Sequence, residues 1–198
     1  MLLEKALEGA ASQGAETELI HLYDHNFKGC MSCFGCKIKG GKSYGKCVVK
    51  DDLTPILEKI EDADAIIFGS PIYFGTASGE MRSFMERLMF QYLIYTNPLK
   101  SLFTKKINTG FIYTMNFMEE QMKEYGLNHY FGFNEMTLKI IFGASESLFS
   151  FDTYQFKDYS KVISDRFDPE KKAKRRKEVF PDDCKKAFEM GSRFSSSQ

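Results

Sequence analysis

The chain contains no tryptophan, three histidines, five prolines and no excess of either charge, since 27 basic residues balance 27 acidic ones. Balanced charge argues against a general nucleic-acid or membrane-surface binder, because such proteins need a net positive face. His21, His25 and His129 are scattered without metal-ligand spacing, so no histidine metal centre is expected. No apolar run reaches the length of a membrane-spanning helix, and no signal peptide is visible. There is no Gly-x-Ser-x-Gly elbow, no phosphate-binding Walker loop and no defensible pair of catalytic carboxylates. Internal repeats and long linkers are also missing. Hydrolytic and nucleotide-triphosphate chemistry therefore have no visible apparatus.

What is present is aromatic and sulfur-rich. The 198 residues are 43% hydrophobic, enough for one domain with a substantial core. Nineteen phenylalanines and ten tyrosines make core and pockets unusually aromatic. Four of the five cysteines fall between residues 30 and 47, and the odd total suggests a reducing cytoplasm rather than a disulfide scaffold.

Residues 2–13 read as a helix with Leu2, Leu3, Ala6, Leu7 and Ala10 on one face, ended by Gly14. Thr17 to Tyr23 alternates like a strand. Residues 27–50 form a cysteine- and glycine-rich excursion. Asp51 or Asp52 is expected to cap a helix through Leu53, Ile56, Leu57 and Ile60. Ala65 to Phe68 reads as a strand buried on both faces that stops at Gly69-Ser70-Pro71. A helix follows from Met81 to about Ile94, and Asn97-Pro98 is a breaker. Ile107 to Met115 is a third strand, 119–130 a helix, 137–142 ambiguous, and Ser147 to Phe151 a short fourth strand. A charged helical region spans about 168–194, broken at Pro181, with a loose tail from Ser195. Such alternation predicts a single α/β domain over 1–198 with a parallel sheet and right-handed crossovers.

The most informative stretch is the strand, glycine-rich aromatic loop and helix across residues 64–88. An open parallel sheet binds flat cofactors at the carboxyl ends of its strands, in such loops. The run Ser70, Pro71, Ile72, Tyr73, Phe74, Gly75 resembles the flavin-ring loop of the NAD(P)H-dependent FMN reductase branch of the flavodoxin-like fold. The resemblance extends over nearly the whole chain and includes the Asp152 to Tyr159 segment. It implies a three-layer sandwich of strand order 2-1-3-4-5, with residues 17–23 as strand 2. It also implies that Thr114, Met115 and Asn116, ending the next strand, face the same flavin.

In that family a strand and a phosphate loop precede the first helix, whereas this chain begins inside that helix. The central strand is thus expected to be missing from this chain, for one of two reasons. In the favoured reading Met1 is an internal methionine, and upstream codons encode a short apolar strand ending in a Gly-Ser-Pro-Arg-like loop. In the other the chain is truly short and lacks both that strand and its phosphate site. Removal of a central strand leaves buried ladder groups unmet, at about 1–3 kcal/mol each.

Cys30, Cys33 and Cys36 form a C-x2-C-x2-C run, and Cys47 follows after ten intervening residues. Thiolates at this spacing can grip one metal or cluster edge. The arrangement resembles the iron–sulfur flavoproteins, although the last gap is longer than their compact motif. A [4Fe-4S] cluster, a zinc ion and no stable metal all remain open. Lys171 to Lys177 reads as a solvated helix face.

The resemblance implies an FMN-dependent oxidoreductase that passes hydride from NAD(P)H to bound flavin and then to a quinone, free flavin, other small acceptor or redox protein. No catalytic side chain is expected, since the flavin carries the chemistry. A homodimer or higher homo-oligomer is expected, without nucleic-acid or membrane partners. Two alternatives stand beside it: an iron–sulfur flavoprotein electron carrier, and a truncated, non-enzymatic interaction module.

Overall fold

The computed structural model describes residues 1–196. Helix α1, Leu2–Ala11, opens the chain. An irregular stretch follows, relieved only by single 3-10 turns at Leu22–Asp24 and Gly35–Lys37. Helix α2, Leu53–Asp62, precedes strand β1, Ala65–Tyr73. A two-residue strand β2, Thr76–Ala77, leads into α3, Gly79–Tyr92. The short pair β3, Leu93–Ile94, and β4, Lys100–Ser101, forms a separate ribbon. Strand β5, Ile107–Thr114, is followed by α4, Glu119–Glu124, and α5, Leu127–Phe142. Strand β6, Gly143–Ser150, and helices α6, Pro169–Glu178, and α7, Phe180–Ser196, complete the fold.

The main sheet has the order β2-β1-β5-β6. The pairs β1/β5 and β5/β6 are parallel, and only β2 runs antiparallel. The register places Ala65 opposite Asn108 and Pro71 opposite Thr114, so the carboxyl ends of β1 and β5 finish side by side. Helices α2, α3 and α5 cover one face around Phe68, Leu88, Phe111 and Leu138. Helices α1 and α7 cover the other around Ala6, Ile112 and Ala187. These two helices cross with their backbones nearly touching. A Cβ on Gly9 would lie 2.0 Å from the Phe188 carbonyl oxygen, and one on Gly191 would lie 1.8 Å from that of Ala6. No other residue type permits that approach.

Several expectations need correction. Thr17 to Tyr23 forms no strand. In the expected order its only ladder partner is the central strand, and no strand lies between it and β1 among the described residues. Beyond β5, β1 pairs among the described residues only with β2, at Ile72 and Tyr73, so no described strand lies along its opposite edge at residues 65–70. Ala65, Ile66 and Ile67 are accordingly half-buried rather than enclosed. Strand β1 does not stop at Gly69-Ser70-Pro71, because the parallel ladder continues to the Pro71–Thr114 rung and the hairpin to β2 extends it to Tyr73. The helix expected over 119–130 is two helices, parted at Gly126 in the left-handed region. The ambiguous 137–142 belongs to α5, and β6 starts at Gly143, not Ser147. The C-terminal break falls at Val179, because Pro181 sits in the first turn of α7, where its missing N–H costs nothing. Ser195 and Ser196 continue α7, and the rest of the expected loose tail lies outside the described residues. The Lys171 to Lys177 run is not wholly solvated. Lys172 is 3% exposed, and the Arg175 guanidinium pairs with buried Asp183 at 2.6 Å. No helix among the described residues is long and apolar enough to cross a membrane.

Candidate functional site

Two regions border helix α3, one at each end. At its N-terminal end, Tyr73 and Thr76 close a two-residue hairpin whose central residues, Phe74 and Gly75, have φ of 50° and 81°. Two successive positive φ values define the tight turn that matches strand twist, and glycine supplies the second without strain. Phe74 accepts the left-handed conformation at a cost of about 1–2 kcal/mol, and its ring is fully exposed. Strain of this kind clusters at ligand sites. The hydrogen bonds of the described residues make no use of the N–H of Phe74 or of Gly75. Two free donors thus project from the turn that ends β1.

The other candidate flavin contacts divide by role. Ser70 is buried, and its hydroxyl accepts the Ser78 N–H at 2.9 Å, tying strand end to helix start. Pro71 is exposed, Ile72 is buried and Tyr73 is half out in solvent. Thr114 is half-buried beside Pro71. Met115 is 2% exposed, its N–H donates to the Ser150 carbonyl and its own carbonyl accepts from Thr153. The Asn116 side chain is occupied by the Lys172 ammonium and by Gln155. Lys172 also pairs with Asp152. One buried lysine therefore knots the loops after β5 and β6 together, a residue the sequence reading had left among solvated charges.

At the other end of α3, its last two turns grip the cysteine excursion from one side. The Glu86 carboxylate accepts the Cys30 N–H at 3.2 Å. The Arg87 guanidinium donates to the Lys28 carbonyl at 3.3 Å and the Val49 carbonyl at 3.1 Å, and it pairs with Asp51. The Phe90 ring meets Phe34 edge to face at 5.8 Å. Gln91 Oε1 accepts the Cys47 N–H at 2.9 Å. In return Lys37 donates to the carbonyls of Phe90 and Leu93, capping the helix end where cations are favoured. Asp51 accepts the Leu53 N–H at 3.1 Å and so starts α2, while Asp52 reaches Asn26. Arg87 is 1% exposed. Burial works against its charge, and Asp51 with Cys47 more than restores it, holding the guanidinium above its ordinary value. Burial also pushes the Cys36 thiol up, with Lys37 opposing.

Between these clamps lies a small, partly open pocket whose wall includes Cys30, Cys33, Cys36 and Cys47 together with Phe34, Arg87 and Gln91. All four thiols are free. Among the described residues no three His, Cys, Asp or Glu side chains converge closely enough to hold a single metal ion. The structure thus brings the four expected ligands around one space without drawing them to one point.

Sequence reasoning missed Arg87 and Gln91. A signal existed. Phe84, Leu88 and Tyr92 form the buried stripe of α3, and Arg87 and Gln91 fall on that same stripe at helical spacing. Polar residues in an apolar stripe need a buried partner.

The family model for NADPH-dependent FMN reductases matches residues 1–139. The chain belongs to the NADPH-dependent FMN reductase family. It is 41% identical over 87 residues to an iron–sulfur flavoprotein of Methanocaldococcus jannaschii, a stretch covering 44% of this chain and 42% of that relative. The match therefore spans less than half the length of that curated protein. In structure this FMN reductase homologue resembles an NAD(P)H:quinone oxidoreductase from Methanothermobacter marburgensis, with a TM-score of 0.65 at 16% identity over 97% of this chain and 87% of the other. It likewise resembles an FMN-dependent NADH-azoreductase from Bacillus anthracis in complex with FMN, with a TM-score of 0.64 at 13% identity over 98% and 90%. These likenesses give the reductase homologue a flavodoxin-like α/β fold.

Proposed function

We propose that the protein is an FMN-dependent oxidoreductase that takes electrons from NAD(P)H and delivers them to a small acceptor such as a quinone. The observation that carries the reading is the Phe74-Gly75 turn, with two unused N–H donors at the adjoining ends of β1 and β5. Such donors suit the carbonyl and nitrogen edge of an isoalloxazine, and the carboxyl edge of a parallel sheet is where a flat cofactor rests. Tyr73 and Phe74 would pack against the ring, Gly75 admits close approach, and Thr114 would line the neighbouring strand end. Ser70, Met115 and Asn116 would act from behind by fixing the two loops. Bound there, the flavin supplies both two-electron and one-electron transfer. The chain supplies orientation and a dry face.

A second element is favoured by the cysteine cavity. Cys30, Cys33, Cys36 and Cys47 would ligate an iron–sulfur cluster, which supplies single-electron transfer when bound. A zinc ion needs four sulfurs about 2.3 Å from one point. Thiols spread around a cavity suit the several irons of a cluster better. This supports a flavin reductase that also handles single electrons, and the relatives' name, iron–sulfur flavoprotein, pairs the same two groups.

The test is an absorbance spectrum of anaerobically purified protein with added FMN, followed by NADH or NADPH. Resolved flavin bands that bleach with nicotinamide support the reading. A folded protein that stays colourless and does not quench FMN fluorescence overturns it.

A further inference from the structure

The cysteine cavity has a feature that four thiols do not explain. Two of its wall residues carry buried nitrogens that donate to no oxygen or nitrogen atom: Arg87 at Nε and Gln91 at Nε2. They are 1% and 3% exposed, respectively. An unmet buried donor costs about 1–3 kcal/mol, and native proteins keep few of them. Here two stand one helical turn apart on α3, on the wall that also carries the four cysteines.

Each other polar atom of both side chains is engaged, which fixes how they sit. Gln91 Oε1 holds the Cys47 N–H. The terminal nitrogens of Arg87 hold the carbonyls of Lys28 and Val49 and the carboxylate of Asp51. The two residues therefore brace the excursion both before Cys30 and around Cys47, leaving the Arg87 Nε–H and the Gln91 amide NH2 to spare. Asp51 balances the guanidinium charge, so Arg87 offers a directed donor more than a bare cation.

We infer that Arg87 Nε and Gln91 Nε2 donate hydrogen bonds to the sulfur atoms of the iron–sulfur cluster held by Cys30, Cys33, Cys36 and Cys47, and so set its reduction potential. The inference rests on the cluster reading proposed above. Sulfides and thiolates accept such bonds, and an added electron makes them better acceptors. Donors therefore stabilise the reduced cluster and raise its potential. Arg87 and Gln91 are positioning and tuning residues and do not replace any ligand.

The experiment reconstitutes the full chain anaerobically with ferrous iron and sulfide, measures bound iron, and titrates the cluster potentiometrically with dithionite. The variants are Gln91→Glu, which keeps the acceptor for Cys47 and loses the donor, Gln91→Leu, which loses both, and Arg87→Lys, which keeps the charge opposite Asp51 and loses Nε–H. Each variant is expected to bind as much iron as the parent and to show a more negative midpoint potential. The Gln91 pair decides the matter where Arg87→Lys does not fold. A parent cluster whose potential is unmoved in both Gln91 variants overturns this inference and leaves the cluster intact. A parent that retains no iron overturns the cluster reading and this inference together.

Discussion

The two ends of α3 present sites made in different ways. The hairpin before its first turn is built by main chain: a parallel rung, a two-residue turn and a pair of left-handed residues. The cysteine excursion beside its last turns has almost no regular structure, and side chains from α3 hold it by its carbonyls and amides. A site built from backbone is written in consecutive residues. A site held by side chains depends on residues some 40 to 60 positions away, and on one buried charge in particular.

That contrast can be broken most forcefully at Asp51. Asp51→Ala leaves the Arg87 guanidinium buried without its carboxylate, and breaking a buried pair costs about 3–5 kcal/mol. Urea unfolding should show that loss. In the native baseline the buried Cys36 thiol should become accessible to a thiol reagent. A loss below about 1 kcal/mol would mean that the excursion is not anchored through Arg87. A smaller effect is expected at the other end. Gly75→Ala forces an L-residue to φ near 81°, with its Cβ 2.9 Å from Leu127, and should cost about 1–2 kcal/mol. Thermal denaturation reads that loss, while the cysteine reactivities stay unchanged. The smallest effect has the opposite sign. Phe74→Asn places a residue tolerant of the left-handed region where Phe74 is strained and packs on nothing, so it should stabilise by about 0.5–1 kcal/mol. If Phe74 packs on flavin, the same variant weakens FMN binding, so stability and affinity part company.

The legibility of the sequence follows the same division. The strand at Ala65, the strand at Ile107 and the helix after Gly79 could be read from apolar runs and spacing, because local pattern and tertiary packing agree there. The four cysteines were visible as a motif, and all four line one pocket, although no three of them converge on one point. Their anchors were not visible, since Glu86, Arg87 and Gln91 acquire meaning only once the excursion lies on α3. Thr17 to Tyr23 misled for a related reason: alternation signals a strand, yet a strand exists only where a neighbour offers a ladder. Lys172 misled because a run of basic residues usually faces water, and one member of this run turns inward to Asn116 and Asp152.

The glycine crossing of α1 and α7 bears on how the chain comes to be folded at all. The face of the sheet that carries Ile112 is covered by two helices from distant parts of the chain, α1 and α7, locked through Gly9 and Gly191. Contacts of such separation form slowly and late. During synthesis the opposite face, packed by α2, α3 and α5, can be assembled while α1 still waits for its mate. A nascent chain therefore carries a half-dressed sheet until α7 emerges from the ribosome, and chaperones would find their hold on that bare face.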